Sequence, residues 1–276
     1  MAQPPIRGCG PSPPLVDRIP VISLITRPLR LVALIVLVAA AGGVYFFWSG
    51  AHSSTATDGG GALAEYRALH ITDTTPPAGV PAPGVYRFRA SGKERAGSGV
   101  LSVERPLPAE AVYIISPIAG GYHEDLRLSK EHVEEARYRV AGATATALWR
   151  RTKVTFLGIG TDDRTDVTPP AVDHPTAYSV GHTWGGRYCL GALAVDYHGR
   201  VVSKGTATLD GKTIPVVVLR TDSTFTGATP GTRLDLIAWS PKYSLPVTWR
   251  IAQKTGGDSE FEINADLALV SATPLR

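Results

Sequence analysis

His123-Glu124-Asp125 is the densest run of chemically able side chains in the sequence. A metal centre built from it would need all three side chains to converge. On a strand, successive side chains point to opposite faces, so the three cannot reach one ion. Asp162, Asp163 and Asp166 bring oxygen ligands into one stretch, but without the alternating acids and central Gly of an EF-hand loop. A hydrolase nucleophile elbow requires G-x-S-x-G. The nearest match, "AGSGV" (96–100), lacks the leading Gly and reads as a turn. "GIGTDD" (158–163) opens like a dinucleotide fingerprint, yet its third Gly is missing and no helical pattern follows. His182 with Trp184, Gly185 and Gly186 reads either as a pocket wall or as a turn with a packed Trp. His174 precedes Pro175 and has no evident partner. A triad assembled from remote positions is defined in space and leaves no mark in the sequence. No catalytic residue, metal ligand or cofactor is therefore expected, and a non-enzymatic role fits better than an enzymatic one.

The elements that would position any site divide the chain unevenly. Residues 31–48, "LVALIVLVAAAGGVYFFW", carry no charge, and eighteen helical residues rise roughly 27 Å, close to the thickness of a bilayer core. Tyr45, Phe46, Phe47 and Trp48 crowd one end of the run, where an aromatic belt would lie. Arg7, Arg18, Arg27 and Arg30 precede the run, and no Lys or Arg follows it before Arg67. The positive-inside rule then predicts a single-pass protein of the cell membrane, with a cytoplasmic N-terminus and an extracytoplasmic bulk. The alternative is a signal peptide cleaved after Ala39–Ala41. The leader, 1–30, holds seven prolines and reads as an extended tail. It also carries most of the chain's net charge of +4, so the rest is nearly balanced and offers no nucleic-acid surface. Cys9 and Cys189 lie on opposite sides of the apolar run. They are expected neither to pair within one chain nor to form a zinc site, and Cys189 reads as a small buried residue.

Residues 49–83 read as an extracytoplasmic linker, small and polar at first and Pro-rich later, with two helical turns over "LAEYRALH" (63–70). From Gly84 to the C-terminus, strand patterns repeat about a dozen times. "LPVTWRIAQ" places Leu245, Val247, Trp249 and Ile251 on one face. "EFEINADLALVSA" does the same for Phe261, Ile263, Ala265, Leu267 and Leu269, and "VYRFRAS" for Tyr86, Phe88 and Ala90. Asp210-Gly211 is the strongest hairpin turn, with His198-Gly199 and Gly256-Gly257 weaker. The stretch 158–176 reads as a long loop at a rim or between two halves of the sheet. The fold class is mainly β: one N-terminal transmembrane helix, then a large antiparallel β domain over 84–276 with few helices. An apolar sheet face must be covered. A sandwich or closed barrel would cover it with protein, and a curved open half-barrel with an apolar guest.

The C-terminal third resembles bacterial envelope proteins, through "VVSKGTATLDGKTIPVVVLRTDSTFTG", "GTRLDLIAWSPKYSLPVTWRI" and "FEINADLALVSATP". "PGVYRFRASGKE" (83–94) is similar to the first strand of single-pass, membrane-anchored actinobacterial proteins. At the level of fold the pattern resembles the open half-barrel of the LolA/LolB/LppX-like carriers, which implies handling of lipid or lipoprotein outside the membrane. Those carriers place helices in the mouth of the sheet, and no such helices are visible here.

The resulting expectation is an anchored β domain that binds an apolar or lipid envelope component, or a protein partner. Tyr86, Phe88, Val247, Trp249, Ile251, Phe261, Ile263 and Leu267 are expected to line its interior. The alternatives are an envelope hydrolase with a dispersed site around 158–176 and His182, and an assembly protein that pairs through a sheet edge.

Overall fold

The computed structural model describes residues 53–69, 79–98, 101–142, 144–156, 159–175, 178–257 and 260–276. The Pro-rich leader, the apolar run 31–48 and Cys9 lie outside them. Among the described residues, no helix is long and apolar enough to cross a membrane.

A short helix, α1 (Gly59–Ala68), precedes thirteen strands. They are β1 (Gly84–Ser98), β2 (Leu101–Pro106), β3 (Glu110–Ile118), β4 (Gly121–Arg127), β5 (His132–Ala141), β6 (Thr144–Phe156) and β7 (Ile159–His174), followed by β8 (Thr183–Leu190), β9 (Leu193–Leu209), β10 (Lys212–Thr226), β11 (Gly231–Ser240), β12 (Leu245–Thr255) and β13 (Glu260–Leu269). Each strand from β3 to β13 pairs antiparallel with its sequence neighbour, and β13 returns to pair with β1. β1 and β3–β13 thus make a closed ring of twelve, and β2 is an extra strand paired with the second half of β1. The sheet is neither a sandwich nor an open half-barrel. Closure joins the two edges that an open sheet would expose, and its shortest seam is β7 to β8, paired at Val167–Leu190 and Thr168–Cys189.

The period-two patterns decide which face is inside. Leu245, Val247 and Ile251 are buried, as are Tyr86, Phe88, Ile263, Ala265, Leu267 and Leu269. All belong to one continuous core with Tyr122, Leu126 and Tyr138. Outward positions carry charged pairs such as Arg87–Glu110, Lys93–Glu104 and Arg250–Asp266. A membrane-spanning barrel would need an apolar band on that face.

Two local features make closure possible. Gly92, at φ 126°, lies where β1 passes from its pairing with β3 to its pairing with β2, and a Cβ there would fall 2.0 Å from the Asn264 carbonyl oxygen. Asp210 (φ 51°) and Gly211 (φ 70°) form the tight β9–β10 turn that the sequence predicts. Ser240–Leu245 is the longer β11–β12 turn.

Other expectations need correction. The stretch 158–176 is not a loop: 159–174 is β7, paired with β6. Its threonines, aspartates and Pro169-Pro170 hid the strand, and the prolines fall where the β6 ladder skips from Asp166 to Ala171. His198-Gly199 lies inside β9 rather than at a turn, because the indole of Trp184 packs on Gly199 and takes the space of a side chain. "AYSVGHTW" is mostly the β7–β8 connection, with β8 beginning at Thr183. Cys189 is half-buried on β8 and disulfide-bonded, against the expectation of a small buried thiol.

The linker is in part structural. α1 starts at Gly59, capped by the Asp58 carboxylate, which accepts from the Gly60 N–H. Its Ala62 and Tyr66 pack on the outward Val85, Val112 and Ile114.

Candidate ligand-binding cavity

The up-and-down connectivity gives the barrel two ends. One end, the rim, carries the turns β1–β2, β4–β5, β6–β7, β8–β9, β10–β11 and β12–β13. The other, the base, carries β3–β4, β5–β6, β7–β8, β9–β10 and β11–β12. Twelve strands enclose more space than side chains fill, unlike eight. The core is fullest near β1, β3, β4, β12 and β13 and thins out round the ring through β5 to β10. What remains is a cavity of about 810 Å³ that reaches from the rim, where its lining residues Thr161, Ala228 and Glu260 are exposed, past Phe156 and Leu193 to the buried Trp239 and Pro246 near the base, so its mouth is at the rim.

Half of the mouth is plugged by charge. Glu94 on β1, Arg105 on β2 and His132 on β5 are all at most 2 % exposed. The Arg105 Nε donates to Glu94 Oε1 (2.6 Å), and another guanidinium nitrogen donates to the Thr155 carbonyl (2.8 Å). His132 Nδ1 lies 2.7 Å from Glu94 Oε2. Phe156 lies under the Arg105 guanidinium and Phe261 beside the His132 ring. Burial would lower the His132 pKa, but Glu134 and Glu94 outweigh it and raise it to about 9, so the ring is a cation. Burial would also raise Glu94, but its hydrogen bonds to His132 and Arg105 hold it below the ordinary carboxylate value.

A second bridge separates this plug from the open half. Arg233 on β11 donates to both oxygens of Glu134 on β5, at 2.9 and 3.0 Å. The same guanidinium holds Asp235 (2.8 Å), whose other oxygen accepts from Trp249 Nε1 (2.9 Å). Burial would raise Glu134, but Arg233 and His132 outweigh it and hold the carboxyl well below its usual range.

Deeper in, the Tyr113 and Tyr138 hydroxyls donate to the two oxygens of Glu124 at 2.6 and 2.8 Å. Burial, then Asp173, raise Glu124 to about 7. Arg150 pairs with Asp173 beside it. Trp184, Tyr188, Tyr197, Leu219 and Phe225 supply the apolar wall. The Trp184 Nε1 and the Arg150 Nε are buried without a hydrogen-bond partner among the described residues, and neither atom faces the open space. An apolar wall with a few convergent polar groups is the usual make-up of a small-molecule site.

The sequence-predicted interior residues split in two. Trp249 and Phe261 stand on the cavity wall. Tyr86, Phe88, Val247, Ile251, Ile263 and Leu267 are packed core, none more than 4 % exposed. The interior charges were missed, because β4 and β5 carry polar residues on both faces and show no clean alternation. His123-Glu124-Asp125 alternates as expected. Glu124 points in, while His123 pairs with Glu135 (3.2 Å) and Asp125 accepts from Arg127 (2.7 Å). Asp162 pairs with Arg151 on β6. Among the described residues, no three His, Cys, Asp or Glu side chains gather as metal ligands.

The chain matches no family model, no curated protein and no solved structure.

Proposed function

We propose that this chain is a membrane-anchored, extracytoplasmic β-barrel that binds one apolar or amphipathic molecule, a lipid or comparable envelope component. The observation that carries the reading is the cavity of about 810 Å³, with its aromatic wall and a few charged groups set into it. Its size falls within the roughly 300–1,000 Å³ of known ligand pockets. The apolar run 31–48, with arginines before it and none close after it, supports the anchor and its orientation. The shared idea with the half-barrel carriers is an apolar sheet face that holds a guest, here inside a closed ring.

A hydrolase reading has less support. Its proposed loop is a strand, and both oxygens of Glu124, the carboxyl raised to about 7, are occupied by tyrosyl donors. Pairing through a sheet edge also has less support, since the ring is closed and even its shortest seam, β7 to β8, is joined at Val167–Leu190 and Thr168–Cys189. The reading is tested by whether the purified full chain carries or takes up such a molecule at one per chain. A chain that stays empty when lipids are offered contradicts it.

A further inference from the structure

We propose that the open end of the barrel faces the membrane that anchors it, so that the cavity exchanges its guest directly with that bilayer. The inference rests on the proposed anchor and goes beyond it to the partner of the cavity mouth, a lipid surface.

The segment leading into the barrel is fastened at the rim. The Thr55 N–H donates to Glu131 Oε2 (2.9 Å), and the Lys130 N–H donates to the Thr55 carbonyl (3.0 Å). Lys130 and Glu131 form the β4–β5 turn, on the same end as the cavity mouth. The Ser54 hydroxyl donates to the Pro106 carbonyl on β2, whose neighbour Arg105 belongs to the rim plug.

From there the chain runs down the outer wall. α1 packs on Val85, Val112 and Ile114, and Arg127 on β4 pairs with Glu65 (2.7 Å). Arg67 then donates to the Arg276 carbonyl (2.7 Å), and the Arg276 side chain donates to the Pro83 carbonyl beside the start of β1, at the base. The strap therefore enters at the rim and ends at the base.

Covalent geometry sets the orientation. Trp48 closes the apolar run, and whatever their conformation, the residues from Trp48 to Ser53 span at most about 18 Å. The wall at β11, ten residues long, stands roughly 25 Å tall once strand tilt is allowed for. A base-down barrel would need the tether to run the full height of the wall, and it is too short. A rim-down barrel needs no such reach.

The test uses the full chain in vesicles of tritiated phosphatidylcholine. A benzophenone-bearing amino acid replaces Thr226, at the rim end of β10 and outside the cavity lining, or Lys212, beside the β9–β10 turn at the base; both positions are exposed. Flotation with the vesicles is scored first, and photocross-linking to lipid second. The expected result is flotation of both variants, with cross-linking several-fold higher from Thr226. A long Gly/Ser insert after Gly50 should bring the two yields together. A chain that fails to float removes the anchor and this inference with it. A chain that floats with equal yields, or more from Lys212, overturns the orientation alone. A bias that survives the insert overturns tether length as its cause.

Discussion

Arg233 and Glu134 join two strands that are not neighbours. Each is the third residue of its strand counted from the rim, on β11 and β5, and their two hydrogen bonds cross the lumen. The pair divides a half filled with buried charge and aromatic rings from a half that is open. Removing Glu134 leaves Arg233 with Asp235, whereas removing Arg233 leaves both Glu134 and Asp235 without their guanidinium. Arg233→Ala is expected to destabilise the barrel by about 3–5 kcal/mol, and Glu134→Ala by less. Urea denaturation of the two variants beside the parent checks this. A larger loss from Glu134→Ala than from Arg233→Ala contradicts the pairing.

The interior carboxyls and His132 set the pH response. Glu124 titrates near 7 in the fold and near 4.5 when unfolded. The folded state keeps a proton that the unfolded chain has released, so stability falls as pH rises from about 4.5 to about 7. His132 is raised from 6.5 to about 9. Its contribution is complete below about 6.5 and is lost as pH rises through about 9. Glu94 and Glu134 are depressed, so they contribute above about 4.5 and lose that contribution as pH falls. Urea midpoints are expected to peak on the acid side of neutrality. Glu124→Gln should flatten the lower limb of the decline and His132→Gln the upper. A maximum at alkaline pH contradicts these assignments.

Ile251 and Trp249 share a face of β12 but differ in role. Ile251 is fully buried in the packed half, and Trp249 stands on the cavity wall. Ile251→Ala should cost about 2–5 kcal/mol of stability and leave ligand affinity unchanged. Trp249→Ala should weaken ligand binding roughly tenfold, or about 1.4 kcal/mol. Paired denaturation and binding titrations separate the two. Equal losses of affinity would place the guest elsewhere.

The cysteines test the orientation. Cys189 is disulfide-bonded, and a bond to Cys9 and a cytoplasmic N-terminus exclude each other. Cys9 is the chain's other cysteine, so non-reducing peptide maps of the chain taken from membranes decide the matter: the proposed topology requires Cys189 to be linked to a second chain or a small thiol. A Cys9–Cys189 cross-link would put both in one oxidising compartment and overturn the proposed topology.

Much of the fold was legible because apolar alternation survives wherever the inward face is core, as in β1, β12 and β13. Asp210-Gly211 was legible because both of its φ angles are positive. β7 was not, since its prolines and aspartates signal a loop, and only its pairing with β6 shows otherwise. Closure of the ring was not legible either, because the β1–β13 pairing joins the two ends of the domain and no local pattern encodes it. The charged part of the cavity wall escaped for a related reason. Its polar lining, Glu124, Glu134, Arg150 and Arg233, looks like solvated surface in one dimension, and opposes itself across the lumen only once the strands close.

The most direct measurement is native mass spectrometry of the full chain released from detergent micelles, followed by organic extraction and lipid analysis. The account predicts one apolar molecule per chain, lost on extraction and absent when Ser223→Trp fills the cavity that Ser223 lines. A chain that leaves the micelle empty, and stays empty when envelope lipids are offered, would contradict it.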